Sequence, residues 1–432
     1  MRFKSLLLVT LLMSPIIYAD SSTELADKRV SAEQGDAQAQ FELGQLYARG
    51  QGVIQNHRKA LDWYLKAADQ GLAEAQYNLG IVYGSGNGVE QDYQAALAWY
   101  QKAAEQGLDE AQVNLGYMYS QGHGVTQDGP KAVDWYLKAA EQGHPIAMRN
   151  LGVIYHYAHG VEQNYRTALV WYLQAAEKGN DTAQNNLGVM YQHGQGVEQD
   201  YQKAAAWYRK AAEQGNNGAQ NSLGVLYNNG HGVEKDYEKA VEWYRKAAEK
   251  GNMYAQSNLA VMYFNGHGVE QSYQKAVDWH LKAAEQEHSR SQIELGRIYA
   301  NGDGVEPDYQ KAFYWYQKAA VQGDLIAKNG LGWLYNSGYG VEQDYQKAAS
   351  LYREAAEQGV AVAQSNLGYL YANGFGVPEK MSEAYAWYSV AAANGYAPAA
   401  THRDNLIAKL PVDELYQAQE EAARYFEKYR SK

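Results

Sequence analysis

Residues Ala183 to Gly215 read AQNNLGVMYQHGQGVEQDYQKAAAWYRKAAEQG. Nearly the same string returns at every shift of 36 residues, from about Asp36 to Gly395, which makes ten tandem units. A fixed period of this size marks stacked supersecondary units, each unable to bury its apolar face alone. Two apolar stripes lie inside the unit. Ala183, Leu187, Met190 and Tyr191 follow the spacing of one helical face, and Ala204, Trp207, Tyr208 and Ala211 follow a second. Each unit is therefore expected to be a helical hairpin.

The punctuation between the stripes agrees. Gly194-Gln195-Gly196-Val197 links them, and its first glycine suits a left-handed residue just past a helix C-terminus. Asp200 precedes the second stripe as an N-cap, and Asn56, Asp92, Asp128, Asn164, Asp236, Ser272, Asp308 and Asp344 recur in that slot. Lys380 breaks the series, so the second helix of the tenth unit is expected to start differently, near Ser382. Gly188 recurs in mid-helix, at Gly152 and Gly224 among others, at a propensity cost of roughly 1 kcal/mol against alanine. Close backbone approach between helices is the expected compensation, and Ala260 in this slot requires a contact that admits a methyl group. Ala158 and Glu287 replace loop glycines, where local irregularity is expected.

The pattern A-x-A-Q-x-x-L-G-x-x-Y-x-x-G-x-G-V-x-x-D-Y-x-K-A-x-x-W-Y-x-K-A-A-E-Q-G resembles the Sel1-like repeat, a relative of the tetratricopeptide repeat. A tetratricopeptide array is the alternative, but its period is about 34 residues and the G-x-G-V link sets this chain apart. The resemblance implies an all-α fold, a right-handed superhelical α-solenoid of about ten helix-turn-helix repeats at residues 36–395, and a scaffold that binds other proteins. In bacteria such members often act at the cell envelope or in contact with a host.

Outside the array, Arg2 and Lys4 precede the apolar run Leu6 to Met13 and the small residue Ala19, the layout of a secretory signal peptide over residues 1–19 with a cut after Ala19. The run is too short for a spanning anchor, so no stable membrane insertion is expected. A periplasmic or secreted location follows as an expectation. Residues 20–35 look like a half-unit capping the first end. After Gly395 the repeat fails, and residues 396–432 are expected to form capping helices; Val412, Leu415, Tyr416, Ala422, Tyr425, Phe426 and Tyr429 give an apolar stripe that either shields the last unit or meets a partner.

The chain of 432 residues has no cysteine, which excludes disulfides, thiolate metal sites and a catalytic cysteine, and separates it from the disulfide-rich secreted branch of the family. Its formal charge is −11; without the leader, which holds two basic residues and no acidic one, it is −13. A surface of that sign repels phosphate backbones, and the lysines are interspersed with acids, so no nucleic-acid partner is expected.

His123, His159, His231 and His267 share one loop slot, with His193 two residues before it. Equivalent positions in stacked units lie roughly 8–10 Å apart, too far to share a metal bound at about 2 Å, so no metal is expected. The repeated G-x-G lacks a preceding strand and the lysine of a phosphate loop. Acidic residues such as Glu198 and Asp200 are periodic, whereas catalytic residues are singular. The chain is accordingly expected to be no enzyme and to hold no cofactor.

Binding specificity must then reside in positions that vary between units. Trp333, Tyr339 and Phe375 are aromatics where other units are often small or polar, clustered in units nine and ten; Tyr77, Tyr117 and Phe264 are scattered elsewhere. Aromatic residues of this kind are enriched at binding hot spots, though they also fill packing gaps. The tryptophan ladder Trp63 to Trp387 is locked in phase with the second helix, which favours core packing over a sugar-stacking strip. The expected function is an exported protein-interaction scaffold of the envelope. A secreted host-interaction factor of the immunoglobulin-binding type, or a binder of envelope glycan or peptidoglycan, is the alternative.

Overall fold

Each 36-residue period folds into two helices of about 13 residues joined by the glycine link, as in Asp109–Gln121 and Gly129–Glu141. The computed structural model describes residues 21–429, and the regular structure among them is 23 helices with no strand. The leader and its cut lie outside the described residues. Two compact units are distinguished, one through Gln199 and one from Asp200. Within each, consecutive hairpins pack in neighbouring pairs, the arrangement of an α-solenoid. No helix among the described residues is long and apolar enough to cross a membrane.

Both units use the same caps. Lys131 N donates to Asp128 Oδ1 at 3.0 Å in the first, and Lys239 N to Asp236 Oδ1 at 2.9 Å in the second. Lys380 does not shift its helix: Met381–Ala393 starts in register, with Lys380 at φ −153° and ψ 98°, almost the values at Asp236. The register comes instead from a backbone bond. Lys380 N donates to Tyr371 O at 2.9 Å, as Asp236 N does to Tyr227 O, and the lysine ammonium turns to Glu383, 2.9 Å away. Nor are the joints at Ala158 and Glu287 irregular. Both residues keep the left-handed conformation of the glycines they replace, at φ 57° and 65°, and bear its steric cost.

The mid-helix glycine faces a ring more than a backbone. A Cβ on Gly224 would lie 2.7 Å from two ring carbons of Tyr244, and one on Gly152 would lie 2.4 Å from Tyr172 Cδ1. The tyrosine, twenty residues downstream on the second helix, fills the space the missing side chain leaves. In the seventh repeat the slot holds Ala260 and the ring is the smaller His280, both buried. His280 Nδ1 lies 3.1 Å from Ser291 Oγ, and Ser291 stands where the other repeats have alanine. Three departures thus form one substitution.

Hairpins are tied together by a relay of buried glutamines. Gln76 Nε2 donates to Ala68 O, the end of the preceding hairpin, at 3.3 Å, while its Oε1 accepts from Gln106 Nε2 at 2.8 Å. Gln112 and Gln142 repeat the pattern in the first unit, as Gln292 and Gln322 do in the second. The relay begins at the helix Ser21–Glu33, whose Ala32 carbonyl accepts from Gln40 at 3.0 Å. At the other end Tyr429 O accepts from Gln364 at 3.0 Å and Asn394 at 3.2 Å. That carbonyl belongs to the last helix, Val412–Tyr429, whose Tyr425 and Tyr429 rings lie 4.8 and 5.1 Å from Trp387.

Candidate binding surface on the loop edge

The G-x-G link presses against the start of the previous repeat's second helix. Gly340 takes φ 69°, and a Cβ there would lie 2.4 Å from the backbone carbonyl of Tyr309. Only glycine fits so close an approach. The seated loop lays the residue between its glycines flat on the ring of the helix's first residue: Tyr339 stacks on Tyr309 at 4.6 Å, and Phe375 on Tyr345 at 4.7 Å.

A third ring comes from the first-helix position after the Leu-Gly pair. Trp333 meets Tyr339 edge-on at 5.4 Å and Tyr309 at 6.1 Å, and Tyr369 lies 6.0 Å from Phe375. Each cluster is seated on the core by its more buried rings and opens to solvent through Tyr339, 43% exposed, and Tyr369, 45% exposed. Of the three residues singled out in the sequence, Trp333 and Tyr339 share a cluster and Phe375 anchors the next. Tyr309, Tyr345 and Tyr369 complete the two sets.

The same geometry carries other chemistry elsewhere. Where the third repeat meets the second, Tyr93 of the second repeat and Tyr117 and His123 of the third occupy the three positions, His123 stacking on Tyr93 at 4.9 Å; His267 stacks likewise on Tyr237 at 4.6 Å. These histidines are ring partners rather than simple loop filler. In the eighth repeat Arg297 pairs with Asp303 in the corresponding places and lies over Phe264 at 5.1 Å. Tyr77 packs within 5.8 Å of Tyr100. Among the described residues no group of three or more histidines and carboxylates is placed to hold a metal.

The tryptophan ladder lies apart from this edge. Most of its rings are half-buried, and the lysine three residues on sits over the ring: Lys102 over Trp99 and Lys282 over Trp279 at 3.9 Å, and Lys246 over Trp243 at 4.2 Å. The ammonium groups occupy the faces a sugar ring would need.

Comparison with protein families matches a single model, the Sel1 repeat, ten times in succession between residues 37 and 396. The chain belongs to the Sel1 repeat family. Among solved structures, this Sel1 repeat protein is similar to a protective antigen present in uropathogenic Escherichia coli strains that displays this fold. Identity is 40% and the TM-score 0.77, over 95% of this chain and 88% of the other. A Sel1 repeat protein from Oxalobacter formigenes is 32% identical with a TM-score of 0.60, over 75% of this chain and 99% of that one. Comparison with curated protein sequences returns no match.

Proposed function

We propose that this Sel1 repeat protein is an exported scaffold that holds a protein partner on the loop edge of its ninth and tenth repeats. Sel1 repeat proteins generally mediate protein–protein interaction. The observation that carries the reading is the pair of successive three-ring clusters at Tyr309, Trp333 and Tyr339 and at Tyr345, Tyr369 and Phe375. Rigid aromatic groups, half-seated on the core and half-open, lose little side-chain freedom when a partner covers them. Export is supported by the leader-like layout of Arg2 to Ala19 and by the likeness to a protein described as a protective antigen. Both the envelope-adaptor and the host-factor readings need that export. A glycan is the weaker candidate, because lysines cover the tryptophan faces that would stack on sugars.

Pull-down from envelope extract and from host secretions, with wild-type protein and with Trp333→Ala/Phe375→Ala, tests the docking. Loss of the captured protein in the double variant, with the melting transition kept, supports the edge; undiminished capture refutes it. Sequencing of the mature N-terminus tests the cut after Ala19.

A further inference from the structure

The two ring clusters of the loop edge are spaced for a particular kind of occupant. Helices Leu325–Ser337 and Ala361–Asn373, which carry Trp333 and Tyr369, lie side by side, with Asn366 Nδ2 donating to Asn329 Oδ1 at 2.9 Å. Equivalent positions on helices packed in this way are about 8–10 Å apart. A polyproline II chain returns to the same face every three residues, which at about 3.1 Å per residue is ~9 Å. A proline at every third residue therefore meets successive clusters in register. A β-strand returns to one face every ~6.6 Å and does not. The third-ring slot is aromatic in two successive repeats only here, at Trp333 and Tyr369.

An α-helix comes back to one face after seven residues, about 10.5 Å, so spacing alone does not separate it from polyproline. The hydroxyls do. Those of Tyr339 and Tyr369, residues 43% and 45% exposed, make no hydrogen bond among the described residues. A helix has spent its carbonyls on its own backbone, whereas every carbonyl of a polyproline II chain is free to accept. Rings that pack on prolines while their hydroxyls donate to the chain between them serve both needs of such a segment.

Charge sets what stands between the prolines. Glu342 is exposed midway between Tyr339 of one cluster and Tyr345 of the next, and Glu306 is exposed three residues before Tyr309. Among the described residues neither makes an ion pair, while the neighbouring caps Asp308 and Asp344 are held by Lys311 at 3.0 Å and Lys347 at 3.3 Å. Two carboxylates one repeat apart thus lack a counter-charge.

The geometry points to a proline-rich segment of the protein partner, in polyproline II form and with a basic residue between its ring-contacting prolines, as the occupant of the two clusters. This inference rests on the docking edge proposed above and names what docks there. Such a segment is preformed, so binding orders little of it.

The test uses the full chain and fluorescein-labelled nonapeptides read by anisotropy at fixed ionic strength: Pro-Pro-Arg three times over, Ala-Ala-Arg at the same charge, and Pro-Pro-Glu with the charge reversed. An amphipathic helical peptide of leucine and arginine, equal in charge to the first, stands for the helical occupant. Saturable binding of the Pro-Pro-Arg peptide is expected, at least tenfold tighter than that of the alanine and helical peptides. Trp333→Ala/Phe375→Ala should weaken it at least tenfold. Glu342→Lys should weaken it several-fold and strengthen the Pro-Pro-Glu peptide; this surface variant keeps the test decisive should the double variant unfold. No saturable binding, equal binding of the alanine peptide, preference for the helical peptide, or undiminished binding in the variants overturns the proposal. Should capture in the pull-down depend on Trp333 and Phe375 while the Pro-Pro-Arg peptide fails, the edge stands and the proline reading alone falls.

Discussion

Transplanting the seventh repeat's substitution into the sixth tests the packing directly. Gly224→Ala alone places a methyl carbon 2.7 Å from two ring carbons of Tyr244 and 3.2 Å from the Ala240 carbonyl. Ordinary carbon contacts lie at about 3.5–4.0 Å, so a ring that is only 3% exposed must retreat by most of an ångström. Overpacking of this size costs about 1–3 kcal/mol, against which alanine recovers about 1 kcal/mol of helix propensity. A net loss of up to about 2 kcal/mol is expected. Tyr244→His alone leaves a void and a buried imidazole with no partner, for a loss of at least about 2 kcal/mol. Adding both changes with Ala255→Ser recreates the environment of Ala260, His280 and Ser291. The triple variant should therefore be more stable than the sum of its single effects by at least about 2 kcal/mol, a coupling reserved for residues in contact. Amide hydrogen exchange in the helices Asn217–Asn229 and Tyr237–Glu249 reads this locally, where a global melt of a repeat array averages it away. Additive losses would refute the complementary-pair reading.

Further outcomes follow from the same structure. Burial, helped by the positive charges of His288, Arg290 and Arg297, holds the His280 imidazole down to about 3 against an ordinary 6.5. The unfolded chain then takes up a proton that the folded chain refuses, so His280 costs nothing above pH 6.5 and lowers stability by about 1.4 kcal/mol per pH unit from there down to about 3. Exchange protection in Tyr273–Glu285, taken relative to the intrinsic rate at each pH, should fall as pH drops through that window, and less so in Ala260→Gly/His280→Tyr. Glu287→Gly relieves a left-handed φ of 65° and should stabilise by about 1 kcal/mol in denaturant unfolding. Deleting residues 412–432 removes the acceptor at Tyr429 O and uncovers Trp387, so exchange in Met381–Ala393 should rise while that in Tyr237–Glu249 stays unchanged.

The hairpins were legible because the sequence states the same pattern ten times, and the stripe around Leu187 and Met190 has one period. The role of Gly224 was half-legible. Its recurrence revealed a close contact, but the partner ring sits twenty residues away on another helix, and spacing within one stripe does not reveal it. No role for Gln76 and Gln112 was legible in the sequence, because the carbonyl that each reaches belongs to the preceding hairpin. At the loop edge, Trp333, Tyr339 and Phe375 were visible as departures from the pattern. Tyr309 and Tyr345 were hidden by their regularity, and a ring thirty residues before each loop aromatic was the available signal.

The loop-edge stack joins residues from two successive repeats, a tyrosine from one and the link residue of the next. Because the tyrosine is nearly the same from repeat to repeat, a duplicated or exchanged hairpin brings its own link residue and finds an equivalent ring waiting for it. New recognition surfaces can therefore be assembled by shuffling whole 36-residue cassettes, without redesigning the joints between them.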